Sequence, residues 1–191
     1  MRVVVIAPHP DDLEIFCGGT VIKHIRGGDK VIEILATDGQ RGSFLNFLRG
    51  WKPSQELARR RRAEAERSAS FLGVELRALG LMDRELTPKT VPLLQKALRK
   101  ESPDLIYAPD PEFTLYSHPD HLTAGRAASP FRPIRFYHTT KPNLRVDIGE
   151  VLKEKKEAIK IHRSQWSVWR LTFPLRGQRI SNPFEDFREL R

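Results

Sequence analysis

Five short runs of Val, Ile and Leu, separated by segments of helical period, limit this chain's folds more than any other feature. The runs fall at residues 2–6, 31–36, 74–79, 105–108 and 134–137. Each is short and mainly apolar, the pattern of a buried strand. Between them, apolar residues recur at helical spacing over residues 12–26, 55–72, about 90–100, 121–128 and 150–161. Gly27-Gly28 closes the first of these helices, Gly73 the second, and Pro103 follows the third. Regular alternation of strand and helix means parallel strands joined by crossover helices. The expected fold is α/β: one Rossmann-like three-layer sandwich with a mainly parallel sheet in the order 3-2-1-4-5.

At 191 residues the chain is predicted to form one domain, residues 1–191. From Trp166 onward the periodicity fades. Trp166, Trp169, Phe173, Phe184 and Phe187 lie among Pro and Arg, and this stretch is expected to wrap the core or to form a subunit contact in a homo-oligomer. The apolar run at the N-terminus turns polar at His9, too short for a signal peptide or a membrane span, so a cytoplasmic location is expected.

The formal net charge of +9 raises a nucleic-acid reading. The basic residues are scattered, however, and the one block, Arg59 to Arg62, is followed closely by Glu64 and Glu66. That is the pattern of a solvated helix face, so no nucleic-acid partner is expected, while a general attraction for anionic small molecules remains. Cys17 is the single cysteine, which excludes an internal disulfide and a thiolate zinc knuckle. A metal site here has to use His and carboxylates.

Open α/β sheets bind ligands beyond the carboxyl ends of their strands, where neighbouring crossovers leave on opposite faces. Polar residues gather there in this chain. His9-Pro10-Asp11-Asp12 follows the first strand, Thr37-Asp38-Gly39 the second, Asp83 the third, and Tyr116-Ser117-His118-Pro119-Asp120-His121 the fourth. If strands 1 and 4 are neighbours, their two His/Asp clusters face each other. Asp38 and Asp83, at the flanking strand ends, are candidate substrate-binding residues. A dinucleotide site is excluded because the first turn has no G-x-G-x-x-G and Gly18-Gly19 comes too late to cradle a pyrophosphate.

Two His and one carboxylate with an open position suit catalytic zinc. Adjacent carboxylates at a strand-to-helix turn point in different directions, so Asp12 can hold the metal while Asp11 moves a proton. A turn or helix N-cap is the simpler use of either aspartate. A non-haem iron triad from His9-x-Asp11 and His121 is the rival chemistry, but the oxygenases with such spacing are all-β. A non-catalytic module binding anionic sugars or nucleic acid is the second rival.

On a helical wheel, Leu57, Ala58, Ala65, Ser68, Ala69 and Leu72 form one small or apolar arc with Arg61 near its centre. An arginine on a buried face needs an anion or several acceptors. Arg61 therefore either reaches the pocket or pairs internally, for example with Glu64. His24 is expected at the surface, Cys17 in the core, and His138 either lining the pocket or in a loop.

Ala7-Pro8-His9-Pro10-Asp11-Asp12-Leu13-Glu14 together with His118-Pro119-Asp120-His121 resembles the paired signatures of the LmbE-like, or PIG-L, N-acetylglucosaminyl deacetylases. The likeness continues through Thr37-Asp38-Gly39-Gln40-Arg41-Gly42-Ser43, Arg61-x-x-Glu64, Leu72-Gly73 and His162-Arg163-Ser164-Gln165. It spans about residues 3–165, leaving 166–191 as a C-terminal extension. The resemblance implies that His9, Asp12 and His121 bind Zn2+, or another divalent metal such as Fe2+, and that Asp11 is the general base. It implies that His118, with Asp120 as its partner, assists the tetrahedral intermediate and the leaving amine. Tyr116 falls where some members stabilise the oxyanion, and Arg61 where they contact substrate. The implied reaction is hydrolysis of a linear amide: an N-acetylated sugar conjugate, anionic in view of the chain's charge, gives acetate and a free amine.

Overall fold

The structure, a computed structural model, describes residues 1–42, 50, 52–114, 118–166 and 180–191. Strand β1 (Arg2–Ala7) leads into helix α1 (Asp12–Arg26), and β2 (Lys30–Thr37) is followed by α2 (Gln55–Leu72) and β3 (Glu75–Leu81). Helix α3 (Val91–Lys100), β4 (Leu105–Pro109), α4 (Pro119–Ala128) and β5 (Ile134–Tyr137) complete the alternating part. Strand β6 (Leu144–Asp147), α5 (Leu152–Ile161) and β7 (Phe184–Leu190) follow.

The sheet runs β3-β2-β1-β4-β5-β7-β6. Its first five strands are parallel and in the order read from the sequence, with Val3 of β1 opposite Val31 of β2 on one side and Leu105 of β4 on the other. Alternation along β1 supplies both cores. Val3 and Val5 pack with Leu13, Cys17 and Val21 of α1 and with Ala158 of α5. Val4 and Ile6 pack on the opposite face with Leu94 and Leu98 of α3 and Ala124 and Ala127 of α4. Helix α1 thus leaves β1 on one face and α4 leaves β4 on the other, so a cleft opens between the N-termini of α1 and α4.

Two elements differ from their sequence reading. Strand β3 is only partly buried, because it is the sheet edge. The C-terminal segment does more than wrap the core, since β7 pairs antiparallel with both β5 and β6. Its Glu185 is buried and accepts from the Gly19 and Thr20 amides of α1 at 2.9 and 2.8 Å and from Lys155 Nζ at 2.7 Å. A buried carboxylate paired and hydrogen-bonded in this way locks β7 to α1 and α5. Trp169 and Phe173 lie outside the described residues. Among those described, no helix is long and apolar enough to cross a membrane.

Helix α4 reaches the cleft because of one glycine. A Cβ on Gly125 would meet the Pro109 carbonyl oxygen at 2.3 Å, and backbone of a central strand cannot yield. Gly125→Ala is therefore expected to destabilise the fold by about 1–3 kcal/mol, the usual cost of overpacking, with a matching drop in the urea midpoint. An unchanged midpoint would show that α4 docks less tightly than this contact requires.

Candidate metal and catalytic site

The turn after β1 carries His9, Asp11 and Asp12. The His9 amide donates to Asp12 Oδ2 at 2.9 Å, and the Asp12 amide returns to the His9 carbonyl at 3.3 Å. This closed turn aims His9 Nδ1 and Asp12 Oδ2 at one another, 3.4 Å apart. Across the cleft, His118 caps α4, its Nδ1 accepting the Asp120 amide at 3.3 Å, which places His121 in the helix's first turn. His121 Nε2 lies 3.2 Å from Asp12 Oδ2. Donor atoms of His9, Asp12 and His121 all fall within 4.8 Å of one another.

This donor set fits a divalent metal. A tetrahedron with bonds of about 2.1 Å has donor-to-donor edges of about 3.4 Å, and the separations of 3.4 and 3.2 Å match it. Burial disfavours a charged Asp12, yet His121 and His9 outweigh burial and hold its carboxyl well below the usual range. The anionic form is the ligating one.

Asp11 is set apart from this cluster. It sits at the N-cap of α1 with φ 105° and makes no side-chain capping bond, so the N-cap reading does not hold for its carboxylate. A non-glycine residue at positive φ costs energy and persists where its surroundings enforce it. Here Arg61 contributes to the enforcement. Its guanidinium donates to the Pro10 carbonyl at 2.7 Å, to the Gly39 carbonyl at 3.1 Å and to Asp11 Oδ1 at 3.2 Å. The two glycines of the β2 loop make room for it: a Cβ on Gly39 or Gly42 would lie 2.1 Å from Arg61 Nη1. Arg61 is buried, as its place on the helical wheel predicts, but these bonds are to protein acceptors. In the structure the guanidinium braces Asp11 together with two loop carbonyls, the internal pairing that the sequence left open beside a reach into the pocket. Its expected partner Glu64 instead meets Arg60 at 3.5 Å and receives the Ser164 amide.

Arg61→Ala is accordingly expected to lower kcat by about 100-fold, the scale of a small misplacement of a catalytic group, with KM little changed. A rise in KM alone would return Arg61 to substrate binding. Circular dichroism of the variant checks that the fold survives the loss of a buried charge.

The remaining candidates divide. Asp120 is completely buried and lies 3.0 Å from His9 Nε2 but 3.9 Å from His118 Nδ1. Its carboxylate thus lies nearer His9 than His118, because the Arg84 and Leu86 amides, at 2.7 and 3.0 Å, draw it to that side, while its amide meets His118 Nδ1. Asp83 also turns to His9, with Oδ1 3.2 Å from Nε2 and Oδ2 accepting the Arg41 amide. Carboxylates behind an imidazole fix its tautomer and orientation. Burial opposes a charge on His9, but the facing carboxylates of Asp12, Asp120 and Asp83 keep its pKa well above the ordinary value. His118 moves the other way: burial and the neighbouring His9 and His121 lower its pKa to about 3. It is neutral, and with Nδ1 accepting from the Asp120 amide its proton resides on Nε2. Asp38 is held by Arg62 at 2.6 Å and belongs to neither group able to hold a metal. Tyr116 lies outside the described residues.

Several histidines were legible only in part. His138 stacks on Phe16, ring centroids 4.7 Å apart, and its ring is 6.3 Å from that of His121, so it lies in the wall of the site. His162 pairs with Glu14 at 3.1 Å in a buried contact, and Gln165 reaches the Gly42 carbonyl at 2.8 Å. The His162-to-Gln165 motif is thus a brace behind the site. His24 is not a surface residue: its ring bridges Asp29 at 2.7 Å and the Tyr107 hydroxyl at 2.9 Å.

The sequence profile of the PIG-L family, described as GlcNAc-PI de-N-acetylase, matches residues 4–131. Diacetylchitobiose deacetylase of Thermococcus kodakarensis is 35% identical over 201 residues, covering 91% of this chain and 74% of that protein. Among solved structures, N,N'-diacetylchitobiose deacetylase from Pyrococcus horikoshii, complexed with its inhibitor MPG, superposes with a TM-score of 0.83 at 34% identity. That match covers 99% of this chain and 83% of the other. The conserved protein TT1542 from Thermus thermophilus gives a TM-score of 0.76 at 27% identity, over 97% and 92% of the two chains. The matched stretch contains His9, Asp11, Asp12, Arg61, His118 and His121 on the fold seen in those structures, and the chain therefore belongs to the PIG-L family.

Proposed function

We propose that this protein is a zinc-dependent N-deacetylase that removes the acetyl group from an N-acetylglucosamine-type sugar or conjugate. The observation that carries the reading is the separation of two adjacent carboxylates. Asp12 joins His9 and His121 in a set fit for a metal, while Asp11 is fixed outside it by Arg61. A purely structural metal would need no such second carboxylate. The deacetylase activities of the two archaeal relatives support the same reading.

Zinc bound by His9, Asp12 and His121 supplies a Lewis acid that lowers the pKa of water and polarises a carbonyl. Asp11 takes the proton as water attacks the acetamide carbon. His118, neutral with its proton on Nε2, donates to the carbonyl oxygen as that oxygen becomes anionic, a contribution of roughly 3–4 kcal/mol for a well-placed donor. The proton held by Asp11 then passes to the sugar nitrogen as the C–N bond breaks, leaving acetate and a free amine. Asp120 and Asp83 keep the His9 ring in register throughout.

The test is a panel of N-acetylglucosamine, diacetylchitobiose and N-acetylglucosamine conjugates with neutral or anionic aglycones, assayed for released amine with zinc present. Conjugates should be cleaved with higher kcat/KM than the free sugar. The net charge of +9 favours the anionic ones at low salt. Equal kcat/KM for neutral and anionic conjugates would remove the charge preference, and no released amine across the panel would remove the deacetylase reading.

A further inference from the structure

We propose that the chain has a second divalent-cation site, formed by His9 Nε2, Asp83, His118 and Asp120, and that filling it inhibits the enzyme. The binding stands on geometry alone; the inhibition rests on the deacetylase reading.

The four residues offer donor atoms within 4.8 Å of one another, a group separate from the first apart from the shared His9 ring. His9 Nε2 is 3.2 Å from Asp83 Oδ1 and 3.0 Å from Asp120 Oδ2, and Asp120 Oδ2 is 3.9 Å from His118 Nδ1. These separations straddle the edge of about 3.4 Å expected for tetrahedral bonds of about 2.1 Å. Two imidazoles and two carboxylates form a mixed N/O set that suits zinc and its neighbours among the transition metals.

A second observation points to a ligand. Asp83 is 3% exposed, and its buried Oδ1 accepts no well-aligned hydrogen bond although it faces the His9 ring. A buried carboxylate oxygen left in that state is costly, and a cation between it, Asp120 and His118 would satisfy it.

The two sites use opposite nitrogens of one imidazole. Nδ1 faces Asp12 and the first site, and Nε2 faces Asp83 and Asp120. A cation at Nε2 has to displace the ring proton held between these carboxylates, which makes the second site the weaker. It also draws His118 Nδ1 away from the Asp120 amide, turning the ring whose Nε2 is the proposed donor to the carbonyl oxygen. Activity should therefore rise as the first site fills and fall as the second does.

Calorimetric titration of zinc chloride into the metal-stripped full chain, without substrate, reads binding directly. Wild type should show a tight and a weak class. Asp83→Asn and His118→Gln should each keep the tight class and weaken the other by about 10- to 100-fold, the usual effect of altering a metal's close partners. His121→Ala should do the reverse, losing the tight class and keeping the weak one. A single class in wild type up to millimolar zinc, or two unchanged classes in both Asp83→Asn and His118→Gln, would overturn the site. Wild-type activity that persists with the weak class filled would overturn the inhibition. Because the titration uses no substrate, failure of the deacetylase reading leaves the binding result standing.

Discussion

Asp11→Asn is expected to keep the metal and to lose turnover by about 100- to 10,000-fold, the range for removal of a general base. The amide is nearly isosteric with the carboxylate, and asparagine tolerates positive φ well, so the turn at φ 105° survives. Arg61 retains the Pro10 and Gly39 carbonyls as acceptors. What disappears is a group able to take a proton. Asp12→Asn should give the opposite result, weak metal binding, because Asp12 Oδ2 lies within 3.4 Å of both imidazoles of the triad. Elemental analysis beside kcat separates the cases. Metal lost from Asp11→Asn and retained in Asp12→Asn would sink the assignment and restore the His9-x-Asp11 iron triad, which the structure otherwise disfavours by placing Asp12 with the two histidines.

The second large effect is expected from His121→Ala. Removing one of three ligands leaves a buried imidazole and carboxylate that cannot hold the ion in the tight site, and activity should fall below detection. The loss can be read without substrate. A ligand that binds only the folded state at about 100 times its Kd stabilises it by about 2.7 kcal/mol. Zinc at that level should raise the Tm of the wild type by roughly 5–10 °C, given about 2–4 °C per kcal/mol for a chain of this size. His121→Ala should show little of that rise. An equal rise in both proteins would remove His121 from the ligand set.

Local pattern accounts for what could be read before folding. Helix α1 runs from Asp12 to Arg26, as its apolar spacing predicts. Alternation implies five parallel strands, and the expected Rossmann-like order 3-2-1-4-5 is the one the sheet adopts. His9 and Asp12 are three residues apart, so one turn brings them together whatever surrounds it. The burial of Arg61 was equally legible, because its neighbours on the helix are small or apolar.

The C-terminal strand was hidden because the buried position of Phe184–Leu190 that breaks its apolar alternation is Glu185. Lys155, two amides of α1 and the Thr20 hydroxyl make that burial tolerable, and no window around residue 185 contains them. His24 was misplaced for the same reason, since Tyr107 comes from a strand 83 residues away.

The sequence by itself determined the layers and the residue types that gather at the strand ends, because hydrophobic period and turn chemistry act over a few residues. The tertiary structure alone decided that Arg61 reaches Asp11, that Asp120 and Asp83 face His9, and that the last strand inserts between β5 and β6. Those are choices among hydrogen-bond partners distant in the chain. Burial makes each choice costly to leave unmet, so the fold settles them.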